Sequence, residues 1–117
     1  ESAQFVMVDK EKTKMFGHCN YTKIKNNKCW LGFSISKASE GKSLMYEALK
    51  LTTAYVMKNL GIKEIRVGIL PHNDRSIRLI KRLDFKYEGE KDKLEINGET
   101  RTHESYLLSA LFLKRKR

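Results

Sequence analysis

Two runs of strand character, CWLGFSIS and KEIRVGIL, stand on either side of a long helical period. In KEIRVGIL, Ile65, Val67 and Ile69 alternate onto one face, as a strand with a buried side requires. Between the runs Leu44, Met45, Ala48, Leu49, Thr52, Tyr55, Val56 and Leu60 recur at helical spacing, which predicts a helix over 44–60. Gly61 follows, where a left-handed residue closes a helix. Strand, helix and strand at this separation form a right-handed crossover, laying the strands over 28–36 and 63–70 side by side and parallel. Such a unit also says where a ligand would go, because open sheets bind at the carboxyl ends of their strands.

The rest of the chain extends this sheet. Strand signals cover 4–9 and 15–25, and the second turns into 28–36 at Asn26-Asn27, a pair that tolerates the left-handed backbone of a tight hairpin. Pairing Lys25 with Lys28 places Cys19 opposite Ser34 and Cys29 opposite Ile24, so the two cysteines are expected to be free thiols. After Pro71, Asn73 or Asp74 can cap a shorter helix that buries Ile77, Ile80 and Leu83. The segments 85–96 and 99–112 then read as an antiparallel pair turning at Asn97-Gly98. The fold class is α/β, with antiparallel strands first, a parallel crossover in the middle and a hairpin last.

At 117 residues this is one domain, 1–117, large enough to bury a core without staples. With 40% hydrophobic residues but no long apolar run, neither a membrane span nor a signal peptide is expected, and the reading is a soluble, cytoplasmic protein. The formal charge of +10, ending in Lys114, Arg115, Lys116 and Arg117, favours polyanionic surroundings such as RNA or a phosphate-bearing cofactor. The chain opens on ESAQFVMV, without methionine and almost at once inside a strand-like run, from which we expect further sequence upstream.

Chemistry has few places to sit. Gly41-Lys42-Ser43 ends like a P-loop, but that motif needs an earlier glycine where this chain has Ser36. The general physics survives, since a bend opening onto a helix N-terminus offers its N–H groups to a diphosphate. No metal is expected, because His18, His72 and His103 lack ligand spacing and the cysteines do not face each other. No Gly-x-Ser-x-Gly elbow supports a serine hydrolase. What remains is the bend after the third strand and the PHNDRS cap after the fourth, both at the carboxyl ends of the crossover strands.

Taken in order, these pieces resemble a known family. Gly32-Phe33, the GKSLMYEAL bend and helix, Pro71, Asn73 and Ser76, then Leu83, Phe85, Glu88 and Gly89, and INGE at 96–99 are similar to the acetyl-CoA-binding core of the GNAT N-acetyltransferases. The similarity is greatest to the RimJ/RimL-type branch, which acetylates the N-terminal alanine of ribosomal proteins. It covers nearly the whole chain from the family's second strand onward, so the family's first strand and two helices are expected to be missing here.

The resemblance implies acetyl-CoA as co-substrate and assigns residues to it. Glu40, Gly41, Lys42, Ser43, Leu44 and Met45 match the bend whose amides hold the pyrophosphate, with Glu40 replacing a neutral or basic side chain and Ser43 replacing a glycine. The backbone of Ser34, Ile35 and Ser36 would pair with the pantetheine arm, Asn73 would contact that arm, and Ser76 would stand near the thiol as a proton donor. Direct transfer also needs a group that takes a proton from an α-ammonium of pKa about 8. Counting from Glu88-Gly89 puts the family's glutamate at Glu95, whereas counting back from Asn97-Gly98 puts it at Leu94. Tyr106 matches a tyrosine of the last strand, with a core and a catalytic role both open, and His103 follows Thr102 where relatives often show Asp-His.

The function implied is acetyl transfer to the N-terminal α-amino group of a protein, a ribosomal protein by the resemblance, with ribosome or RNA contact through the basic surface and no membrane partner. Two other readings stand beside it: a polyamine or small-amine acetyltransferase on the same fold, and a basic RNA-associated module without catalysis. The oligomeric state is not fixed by the sequence.

Overall fold

The structure, a computed structural model, describes residues 2–8, 15–36, 44–96 and 99–110, with the backbone alone for 90–96 and 99–102. Its elements are β1 (Ser2–Val8), β2 (Met15–Lys25), β3 (Lys28–Ile35), α1 (Leu44–Asn59), β4 (Glu64–Ile69), α2 (Asp74–Arg82), β5 (Lys86–Ile96) and β6 (Glu99–Ser109). They make a mixed α/β structure around a six-stranded sheet in the order β1-β2-β3-β4-β6-β5. All neighbours are antiparallel except β3 and β4, which run parallel as the crossover requires.

β6 lies between β4 and β5, so the connection through α2 is a second parallel crossover that advances in the same direction as the first. Right-handedness then puts both helices on one face of the sheet. The alternating residues Cys29, Leu31, Ile65, Val67, Ile69, Tyr106 and Leu108 point to that face and are buried against Leu49, Val56 and Ile80. α1 is tied to the sheet by the Tyr21 hydroxyl, 2.7 Å from Thr52 Oγ1, and α2 touches α1 where the Arg82 guanidinium stacks 4.0 Å from the Tyr46 ring centre. Gly61, at φ 67°, closes α1 where the sequence places its cap.

One expectation needs correction. Lys25 does pair with Lys28, but a bulge between Thr22 and Lys25, with Lys23 at φ 54°, shifts the ladder by one residue. Cys19 therefore faces Phe33, and Ser34 faces His18. The extra residue also increases the local twist, which nothing in the alternation of NYTKIK announces. The thiols are free, as expected, and both are buried. The β5-β6 pair starts at Lys86 rather than at position 85, because the Phe85 N–H bonds back to the Ile80 carbonyl at the end of α2.

Candidate functional site

The parallel seam between β3 and β4 is short. Register pairs run only from Lys28 with Glu64 to Trp30 with Arg66, after which the strands separate. Two cavities of about 250 and 340 Å³ occupy the opening. The first lies between residues 31–33 and 67–70, the second along Phe33, Ser34 and Ile35, and Asn73 and Ser76 line both. Strands that part leave backbone groups without partners, and an extended ligand can satisfy them as an added strand would.

The ladder decides which groups those are. The Ser36 N–H donates to the Phe16 carbonyl at 2.7 Å, on the β2 side. Because successive residues of a strand turn their N–H and C=O to opposite edges, Phe33 and Ile35 direct theirs into the cleft. Of the three residues expected to pair with an arm-shaped ligand, Ile35 presents its backbone there, whereas the amide of Ser36 is spent inside the sheet. Phe33 was not among the expected site residues; the Gly-aromatic pair at Gly32-Phe33 was the signal for it.

At the far end of the cleft the chain turns through Pro71 and His72, the latter at φ 77°, into α2. The Asn73 side chain caps the helix by accepting the Ser76 N–H at 3.4 Å, and the Asn73 N–H donates to the Leu70 carbonyl at 3.2 Å. The cap thus fixes both expected residues on the cleft rim. Leu44 and Met45 open α1 as expected. Buried Met45 anchors that end: its Cε lies 3.1 Å from where a Cβ on Gly17 would stand, so the glycine is what admits it. Glu40, Gly41, Lys42 and Ser43 lie outside the described residues.

The other expected residues sit elsewhere. Tyr106 is in β6, opposite Val67 and Tyr87, buried in the core with its hydroxyl 3.4 Å from Glu104 Oε2; it lines neither cavity. Burial, and after it the Glu104 carboxylate, hold that phenol above its ordinary value. Glu95 is in β5, opposite Thr100 in register, and its side chain lies outside the description.

The sheet face away from the helices is polar. Arg66 donates through Nε to Glu88 Oε2 at 3.0 Å, and Ser105 Oγ donates to the same oxygen at 2.6 Å. Arg66 also reaches Glu64 at 3.1 Å. His103 is only 5% exposed on this face, against the Trp30 ring at 6.3 Å between centroids. Among the described residues, no helix is long and apolar enough to cross a membrane.

Comparison with known proteins agrees with this geometry. Residues 1–86 match the family described as "Acetyltransferase (GNAT) domain". The [ribosomal protein uS5]-alanine N-acetyltransferase of Escherichia coli (strain K12) is 36% identical over 103 residues, 85% of this chain and 53% of that protein. A probable spermine N(1)-acetyltransferase of Bacillus subtilis subsp. natto is 36% identical over 76 residues, 64% of this chain and 48% of its own length. The chain therefore spans about half the length of the curated relatives it matches. Among solved structures, the ribosomal-protein-S5-alanine acetyltransferase of Vibrio fischeri superposes with a TM-score of 0.87 at 28% identity, over 92% of this chain and 61% of that one. A sheet that opens between two parallel strands, a capped helix at the mouth and a family match over most of the chain lead to one conclusion: the chain belongs to the GNAT acetyltransferase family.

Proposed function

We propose that this chain is the acetyl-CoA-binding and catalytic part of an N-acetyltransferase that acts on the N-terminal α-amino group of a protein, a ribosomal protein being the substrate class most in keeping with its relatives. The observation that carries the reading is the cleft, whose size and unpaired strand edges fit an extended pantetheine arm. Phe33 and Ile35 hold the arm through the backbone and Asn73 flanks it. The pyrophosphate falls to the bend of Glu40, Gly41, Lys42 and Ser43 and to the first N–H groups of α1 at Leu44 and Met45, which the helix itself leaves without acceptors. Bound acetyl-CoA supplies an activated acyl group whose thiol is the leaving group.

The chain's part is positioning and proton transfer. Ser76, on the cleft rim, gives a proton to the departing sulfur. Glu95 is offered as the group that relieves the acceptor ammonium of its proton through water. The charge of +10 suits work close to the ribosome's RNA, and a cytoplasmic location follows from that role. A polyamine acceptor is the second reading, since some relatives carry that name. Against it, among the described residues, Glu64 and Glu88 on the polar face are both engaged by Arg66.

Calorimetric titration of acetyl-CoA, followed by thiol release with Ala-initial basic peptides and with spermidine, separates these readings. Binding with peptide-dependent release supports the proposal. Binding with release only in the presence of spermidine overturns the substrate, and no binding by the folded chain overturns the whole reading in favour of an RNA-associated module. In an active chain, Ser76→Ala lowers kcat by roughly ten- to a hundredfold while leaving the acetyl-CoA Kd within about threefold, because a leaving-group proton matters only in the transition state.

A further inference from the structure

Gly17 lies in β2, lines neither cavity, and stands outside the ordered motifs that run from Gly32 onward. Its place in the sheet nevertheless puts it directly behind the cofactor site. Gly17 pairs with Ile35 in register and is buried beneath the first turn of α1. A Cβ added there would stand 2.7 Å from the Ser34 carbonyl oxygen, 3.1 Å from Met45 Cε and 3.3 Å from the Ile35 Cα. These three nearest atoms all belong to residues that the acetyltransferase reading assigns to acetyl-CoA, and they come from two different elements.

The obstacles differ in kind. Met45 Cε is the far end of a flexible side chain and can swing aside, but the Ser34 carbonyl is backbone inside the β2-β3 ladder. At 2.7 Å carbon and oxygen are too close, so a side chain at position 17 displaces the end of β3. That end carries Ile35, whose backbone faces the cleft. On the α1 side, Met45 is the buried side chain of the first turn, so the depth to which it seats on Gly17 sets how near that turn and its open N–H groups come to the sheet.

A cofactor with an extended arm and a diphosphate is one ligand in two linked parts. Holding both at once requires the element that pairs with the arm and the element that meets the diphosphate to stand at a fixed separation, to within about 0.5 Å. Resting on the acetyltransferase reading, we propose that Gly17 is a positioning residue of the acetyl-CoA site: by the side chain it lacks, it sets the spacing between the end of β3 and the first turn of α1.

The test compares Gly17→Ala with the unsubstituted chain, at a temperature where circular dichroism shows both folded, using acetyl-CoA and its two halves, S-acetylpantetheine and adenosine 5′-diphosphate. Acetyl-CoA is titrated by calorimetry, and the halves are read by backbone amide shifts up to millimolar concentration. Affinity for acetyl-CoA is expected to fall about tenfold or more while each half is held within about threefold, because a changed spacing removes the gain from linkage and leaves each part its own element. Acetyl-CoA affinity within about threefold of the unsubstituted chain overturns the assignment, and so does a parallel loss of all the ligands, the signature of general damage to the fold. Halves that shift no amide of the unsubstituted chain overturn it as well, since neither element is then a site of its own. Where Gly17→Ala does not fold, Met45→Leu decides, because it leaves β3 alone and withdraws the Cε atom that rests over Gly17. The expected loss is then about threefold to tenfold for acetyl-CoA with the halves unaffected, and an unaltered acetyl-CoA affinity overturns the proposal. Failure of the unsubstituted chain to bind acetyl-CoA overturns the acetyltransferase reading and the positioning role with it, whereas equal binding by chain and variant overturns the positioning role alone.

Discussion

The two faces of the sheet are built on different physics. On the helix-covered face, the buried apolar and aromatic side chains among the described residues form one cluster, within which the Tyr21 hydroxyl is paired with Thr52. On the other face the order comes from polar groups: Arg66, Glu88 and Ser105 satisfy one another, while His103 is buried against Trp30. The first face resembles a core and holds the strands together. The second is held by ion pairs and hydrogen bonds rather than by packed apolar side chains. The cleft between β3 and β4 is where the two communicate.

Removing packing from the covered face should have the largest effect. Leu49 is fully buried at the centre of α1, so Leu49→Ala leaves a cavity and costs about 2–5 kcal/mol, read as a lower denaturant midpoint with unchanged slope. A loss under about 1 kcal/mol would mean that α1 is not seated on the sheet as described. On the polar face the cost is one of lost partners. Glu88→Ala leaves Arg66 with Glu64 alone and strands the fully buried Ser105 hydroxyl, for about 1–3 kcal/mol. Glu88→Gln keeps an acceptor for Ser105 and should cost less. If both substitutions were silent, the polar face would be solvated rather than organised.

The smallest effect is the pH response of the covered face. Burial pushes the Cys29 thiol up to about 11 from an ordinary 9.0, and desolvation likewise raises Cys19 and Tyr21. A group with a raised folded-state value keeps its proton longer in the native state than in the unfolded chain. Stability is therefore retained below pH about 9 and falls between about 9 and 11, as the unfolded thiol ionises first. Comparing midpoints at the two ends of that window, with Cys29→Ala as the control that flattens part of the slope, checks both the sign and the residue.

Much of this was readable before any coordinates. Helical period and strand alternation located the strands and α1 to within a few residues, Asn73 and Gly61 announced their caps, and the P-x-N-x-x-S pattern identified the cleft rim, because each of these depends on neighbours close in the chain. The bulge at Lys23 was not readable, since an extra residue in a ladder depends on how the strand twists against its partner. The backbone edge of Phe33 was missed for a related reason: which amides face the cleft depends on which ones β2 has already taken.

The sequence by itself determined the α/β class, the parallel crossover and the family, all of which follow from periodicity, turn chemistry and ordered local motifs. Only the tertiary structure decided that β6 inserts between β4 and β5, that the seam opens beyond Trp30, and that His103 lies against Gly68. The physical reason is that these depend on contacts between residues tens of positions apart. Such contacts are chosen by the packing of the whole sheet, and no local preference of the residues encodes them.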